Sequence, residues 1–140
     1  MSVKRCLVLV AIGLIFLPVG LLFTYVPTLL SLSLMGWVPL IAWGLLCAFL
    51  YRLEENKFFF FLLLHFGIIV ALILALMGEA VPVLSEISAI IFSPFLTAAW
   101  SIMSSLPMVG SLNLTLSLIS FCLVIIAAFL FCAIRWIFFR

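Results

Sequence analysis

The chain has 140 residues, of which 70% are apolar and 7% are charged, and its mean hydropathy is +1.64. Average soluble domains are roughly 45–50% apolar and about 25% charged, so the polar side chains here are too few to cover a water-facing surface. One bilayer crossing uses about 20 apolar residues. The composition therefore predicts an all-α, polytopic integral membrane protein with four or five crossings, and it excludes a separate soluble catalytic domain.

Four apolar runs are long enough to cross a bilayer within a single membrane domain over residues 1–140. The first run follows Lys4 and Arg5 as a signal peptide would, but no small-residue cleavage site comes after it, so we interpret it as a retained span. Pro39 predicts a bend near the start of the second run, and Asn113 is expected to cap the last helix. The four predicted spans are residues 6–24, 34–51, 58–77 and 114–134.

The few charged residues predict the orientation of these spans. If the chain crosses four times with both termini in the cytoplasm, the two outer connections, 25–33 and 78–113, contain only Glu79 and Glu86 among charged residues. Cytoplasmic loops carry an excess of Lys and Arg, so we predict a bacterial inner-membrane protein with both termini cytoplasmic. The net charge of +2 is too small to indicate nucleic-acid binding. The six basic residues that then share one side are Lys4, Arg5, Arg52, Lys57, Arg135 and Arg140.

Small residues recur every four positions in the segment 82–108, which precedes the last span. This spacing places a small-residue groove along a helix, and in lipid such grooves let a second helix approach closely. Pro94 interrupts the segment, which predicts two short helices in a re-entrant or interfacial hairpin. A fifth crossing is the alternative, but it would move Arg135 and Arg140 to the outer side. The six residues of this stripe are Ser85, Ala89, Ser93, Thr97, Ser101 and Ser105.

Shorter stripes of small residues occur on the second and third spans. We expect them to pack these two spans against each other as an antiparallel hairpin. For the serines of the longer stripe, the alternative is that each hydroxyl bonds a carbonyl of its own helix and has no role in binding a partner. The short stripes are Gly44 and Ala48 on the second span and Gly67, Ala71 and Ala75 on the third.

His65 is the only ionisable residue well inside a predicted span, and such residues are often functional. Haem ligation, a quinone contact or a proton relay would each need a companion group at a similar depth, and the sequence offers none. We therefore expect a neutral histidine that is hydrogen-bonded to a neighbouring helix. The sequence has no Asp and no nucleotide or hydrolase motif, and its four cysteines lack metal or redox spacing. Neither enzymatic activity nor a cofactor nor a metal site is expected.

These features favour a small structural or accessory subunit of a larger secretion, conjugation or transport complex. Its expected partners are membrane lipid and other integral-membrane subunits, through the stripes and the outer acidic pair Glu79 and Glu86. One alternative is a pore-forming or ion-conducting homo-oligomer, lined by the hydroxyl stripe from Ser85 to Ser105. A second alternative is a haem- or quinone-dependent electron-transfer subunit that uses His65.

Overall fold

The computed structural model describes residues 3–25, 37–50, 57–103, 105–108 and 110–138. All secondary structure in these ranges is helical, which confirms the predicted all-α class. In chain order the elements are α1 (Val3–Gly13), α2 (Phe16–Tyr25), α3 (Trp37–Leu50), α4 (Lys57–Leu64), α5 (Phe66–Met77), α6 (Pro82–Phe92), a 3₁₀ turn (Ser93–Phe95), α7 (Leu96–Met103) and α8 (Leu112–Phe138).

The helix lengths support membrane association through α8 above all. This helix has 27 residues and is long and apolar enough to cross a membrane. The pair α4 and α5 meets the same criteria together, but it is bent by 59°. The described helices of the first two predicted spans, α1, α2 and α3, have 10 to 14 residues each, fewer than a crossing requires. The described residues therefore do not contain four continuous helices that are each long enough to span a membrane.

The first predicted span, 6–24, is divided into α1 and α2 at Leu14 and Ile15. Pro18 is the cause, because it has no N–H to donate to the Leu14 carbonyl and its ring would clash with that group. The Leu17 N–H donates to the Leu14 carbonyl instead, at 3.1 Å. The first predicted span therefore consists of two helices.

The third predicted span, 58–77, is interrupted at His65, whose φ of −96° and ψ of 13° separate α4 from α5. The His65 Nδ1 lies 2.9 Å from the Phe61 carbonyl oxygen, which also accepts the His65 backbone N–H at 3.1 Å. A side chain that enters the backbone hydrogen-bond ladder is a common cause of a sharp kink. The third predicted span therefore consists of two helices, α4 and α5, bent by 59° at His65.

Pro39 does not interrupt α3, because it is the third residue of the helix. The first N–H groups of a helix have no acceptor within it, so a proline is tolerated there. The bend predicted from Pro39 involves residue 35, which lies outside the described residues.

Helices α3 and α8 lie side by side and run in the same direction. Gly44 packs against the Phe131 ring, and one turn further along the Arg135 Nη1 donates to the Ala48 carbonyl at 2.6 Å. Both pairs are separated by 87 positions in the sequence, which is the signature of a parallel contact. Gly44 and Ala48 therefore face α8, and the expectation that they pack the second span against the third is wrong. The Phe131 ring occupies the space that the glycine leaves.

The two interrupted runs meet each other at their breaks. The Gly13 backbone lies against the Leu64 carbonyl, and a Cβ added to Gly67 would be 2.6 Å from the Gly13 carbonyl oxygen. Phe60, Leu64 and Ile68 are fully buried beside this contact. The close approach of two backbones explains why both positions are glycine.

The segment from α6 to the start of α8 begins and ends at the same end of the helix assembly. The Ser111 N–H donates to the Glu79 carboxylate at 3.0 Å, and the Asn113 amide donates to the Ser88 hydroxyl at 3.2 Å. At 1.5 Å per residue, α6 is about 16 Å long and α7 about 12 Å. The turn Ser93–Phe95 between them is buried. We call the end that contains Glu79 and Ser111 the Glu79 end.

Candidate functional site

His65 and Trp43 form a buried polar contact between the α4–α5 break and α3. The Trp43 Nε1–H donates to His65 Nε2 at 3.0 Å, and His65 is 1% exposed. An indole N–H only donates, so Nε2 must be the acceptor. Nδ1 therefore carries the proton of a neutral imidazole and donates it to the Phe61 carbonyl. As the sequence predicts, this histidine is hydrogen-bonded to a neighbouring helix.

Aromatic rings complete the surroundings of this contact. The Phe61 ring stacks on His65, with ring centroids 5.9 Å apart, and on Phe129 of α8, with centroids 4.6 Å apart. The Trp43 ring meets His65 edge-on. Together the four side chains connect α3, α4 and α8, so the contact stabilises the packing of three helices.

This geometry leaves His65 little capacity for redox or metal chemistry. A haem or metal ligand must offer a nitrogen lone pair, and the lone pair of Nε2 is directed at Trp43. Among the described residues, no group of three or more His, Cys, Asp or Glu side chains could hold a metal ion. The arrangement supports a structural role for His65.

The stripe of six small residues is divided by the helix break at Ser93–Phe95. Ser93, in the turn, is buried, whereas Ser101 on α7 and Ser105 after it are exposed. The Thr97 side chain lies outside the described residues. The positions with intermediate exposure are Ser85 and Ala89 on α6. The six residues therefore do not share one surface, and a partner role for them stays a prediction.

Three hydroxyl groups in this segment donate to backbone carbonyls of the preceding turn. Ser88, Ser93 and Ser101 each donate to the carbonyl three residues earlier, at 2.7–2.8 Å. This matches the alternative in which the serines satisfy themselves locally, with i−3 rather than i−4 partners. Ser93 and Ser101, which belong to the stripe, therefore have their hydroxyl donors engaged within this segment.

The shorter stripe on the third span is covered by this chain's own helices. Gly67 meets Gly13 of α1, and Ala71 and Ala75 are buried. The main neighbour of α5 is α6, which follows it in the chain. None of these three small residues is left exposed for a second protein.

The Glu79 end is organised by Glu79 and Ser111. The Glu79 carboxylate accepts the Ser111 N–H, and this hydrogen bond holds the pKa of Glu79 below its ordinary value, so the side chain stays ionised. The Ser111 hydroxyl accepts the Leu114 N–H at 3.2 Å and so caps α8. The predicted cap, Asn113, instead reaches across to α6. Glu86 is exposed on α6.

An apolar groove of about 470 Å³ lies between α7 and α8. Its walls are branched aliphatic side chains, including Ile102 and Leu123, and Cys122 and Ile126 are exposed along it, so it opens to the surroundings. The Thr115 hydroxyl donates to the Ser111 carbonyl at 3.0 Å and is therefore engaged. We call this feature the α7–α8 groove; its chemistry suits an apolar occupant.

Two polar features of α8 were not predicted from the sequence. Ser117 and Ser120 are buried in its first half, and the Ser120 hydroxyl has no hydrogen-bond partner among the described residues. Asn113, Ser117 and Ser120 are spaced i, i+4 and i+7, so they lie on one face of the helix. This spacing is a sequence signal that predicts a polar face on α8. Arg135 was assigned to the cytoplasmic surface, but its bond to the Ala48 carbonyl joins two helices, and no sequence pattern indicates that pair.

Comparison with known proteins assigns no family or function to the chain. No protein-family model, curated protein or solved structure matches the chain.

Proposed function

We propose that the chain is a small structural or accessory subunit of a larger integral-membrane complex, acting by helix–helix packing. The observation that carries this proposal is the position of α7, which packs mainly against α8 and presents exposed Ser101. Exposed small residues in lipid let another helix approach closely. The engaged nitrogens of His65 support the same view, because they argue against a reaction centre at that position.

The proposal includes a membrane topology. We infer that the chain crosses four times with both termini in the cytoplasm, and that the segment 82–108 is re-entrant. The parallel course of α3 and α8 supports this topology, because a fifth crossing would make them antiparallel. The hydrogen bond between Glu79 and Ser111 supports it too, since a crossing segment would put these residues on opposite sides of the bilayer.

The exposed side of α7 is the best candidate for a partner surface among the small-residue positions. Gly13, Gly67 and Gly44 are each covered by another helix of this chain. Ser101, in contrast, is exposed, and its hydroxyl donates to the Ala98 carbonyl at 2.7 Å, so this side chain carries no unsatisfied donor. A partner helix could pack here without desolvating a free hydroxyl.

Replacing Ser101 with phenylalanine should abolish co-purification of a stoichiometric membrane partner in mild detergent. The large ring would hold a second helix away from α7, whereas Ser101→Ala keeps the side chain small and should retain the partner. Both variants should match the wild type in yield and elution volume when the partner is absent. A wild-type protein that purifies as a lone monomer, or equal partner recovery from the two variants, would contradict the proposal.

A further inference from the structure

The α7–α8 groove is a feature that the proposed function does not use. It lies between α7 and α8, along the stretch of α8 from Thr115 to Ile126. Its volume of about 470 Å³ lies within the roughly 300–1,000 Å³ typical of ligand pockets. We propose that it binds one acyl chain of a phospholipid whose head group carries a positively charged ammonium and no net negative charge.

The lining distinguishes an acyl chain from a protein helix. Helices associate in lipid through small residues that bring two backbones together, or through hydrogen bonds. The groove presents the bulky side chains of Ile102, Leu118 and Leu123, and its one hydroxyl, on Thr115, already has an acceptor. A helix would meet large aliphatic groups at such a surface, whereas a flexible acyl chain can fill the space between them.

The length of the groove matches one leaflet. The stretch of α8 from Thr115 to Ile126 rises about 16 Å at 1.5 Å per residue. The hydrocarbon core is about 30 Å thick, so one leaflet contributes about 15 Å. An acyl chain that starts near Thr115 would therefore end near Ile126, at mid-bilayer depth.

The charges at the Glu79 end select the head group. The Thr115 end of the groove lies one turn from Ser111, which is bonded to Glu79. The connection 78–113 contains two glutamates, Glu79 and Glu86, and no basic residue. An anionic head group would be repelled there, whereas the ammonium of a phosphatidylethanolamine would be attracted.

Native mass spectrometry can test this site on the full chain. The protein is reconstituted in bilayers of equal parts phosphatidylethanolamine and phosphatidylglycerol with identical acyl chains, then released into detergent. We expect wild type to retain one phosphatidylethanolamine per chain. Cys122→Trp fills the exposed edge of the groove and should lower retention at least tenfold, while Cys122→Ser should keep it. Leu130→Trp, at an exposed position of α8 outside the groove, is the matched control and should also keep it.

Three results would overturn the proposal: equal lipid retention by Cys122→Trp and Leu130→Trp, preferential retention of phosphatidylglycerol, or loss of a second protein chain rather than lipid from Cys122→Trp. If Cys122→Trp fails to fold, the rate at which the native Cys122 reacts with N-ethylmaleimide tests the same site. This rate is measured in a Cys6→Ser background, because Cys6 is partly exposed. Phosphatidylethanolamine added to delipidated protein should slow this reaction at least tenfold more than phosphatidylglycerol does. Equal rates would overturn the proposal.

Discussion

Replacing Gly13 with alanine is expected to destabilise the folded protein by about 3 kcal/mol, the upper end of the usual loss for overpacking. The new Cβ would collide with the Leu64 carbonyl, which is backbone and has no rotamer that could relieve the clash. Helices α1 and α4 would have to separate. Unfolding by SDS in mixed micelles, followed by circular dichroism, measures the change in the free energy of unfolding.

Gly44→Ala is the matched control for this experiment. The substitution is identical, but the added Cβ meets the Phe131 ring, a side chain that can rotate. We expect a loss of about 1 kcal/mol, the lower end of the same range. Equal losses at Gly13 and Gly44 would contradict the view that the two broken runs are held backbone to backbone.

His65→Leu is expected to cost about 2 kcal/mol, because it removes the acceptor of the Trp43 indole and the bond to the Phe61 carbonyl. Trp43→Phe removes the donor and keeps an aromatic ring in the same place. The double variant should lose less than the sum of the single losses, with a coupling energy of about 1 kcal/mol, near the range measured for interhelical hydrogen bonds in membranes. The same SDS unfolding assay provides all three values.

The coupling energy separates the hydrogen bond from simple packing. If the two single losses add without coupling, the Trp43–His65 contact contributes nothing specific and His65 is available for another role. Visible absorption of the purified protein is a second check, because haem bound at His65 would need the Nε2 lone pair, and a Soret band from it would contradict the hydrogen bond from Trp43 to that atom.

The helical class and one of the helix breaks could be predicted because both depend on local chemistry. The apolar composition leaves few alternatives to helices, and Pro94 lies in the turn where α6 ends and α7 begins. Pro18 carries the same kind of local signal, because it removes an N–H from the middle of the first run. The break at His65 could not be predicted in the same way, because it depends on a side chain that bonds the backbone only in the folded structure.

Which helices pack against each other could not be predicted from the sequence. A stripe such as Gly44 and Ala48 indicates a face that can be approached closely, but any helix of suitable direction can use it. The third span was expected there, and α8 occupies the position because Phe131 and Arg135 fit against Gly44 and the Ala48 carbonyl. The stripe from Ser85 to Ser105 likewise predicted a groove without revealing that the break would turn its second half outward.

The re-entrant course of the segment 82–108 is tested most directly by labelling two cysteines that flank it. Val81→Cys and Met108→Cys place single cysteines at exposed positions, in a background with the four native cysteines changed to serine. We predict that a membrane-impermeant maleimide labels both from the same side of the membrane, opposite to a tag after Arg140. Labelling of the two cysteines from opposite sides would mean that the segment crosses the bilayer, and it would contradict the account.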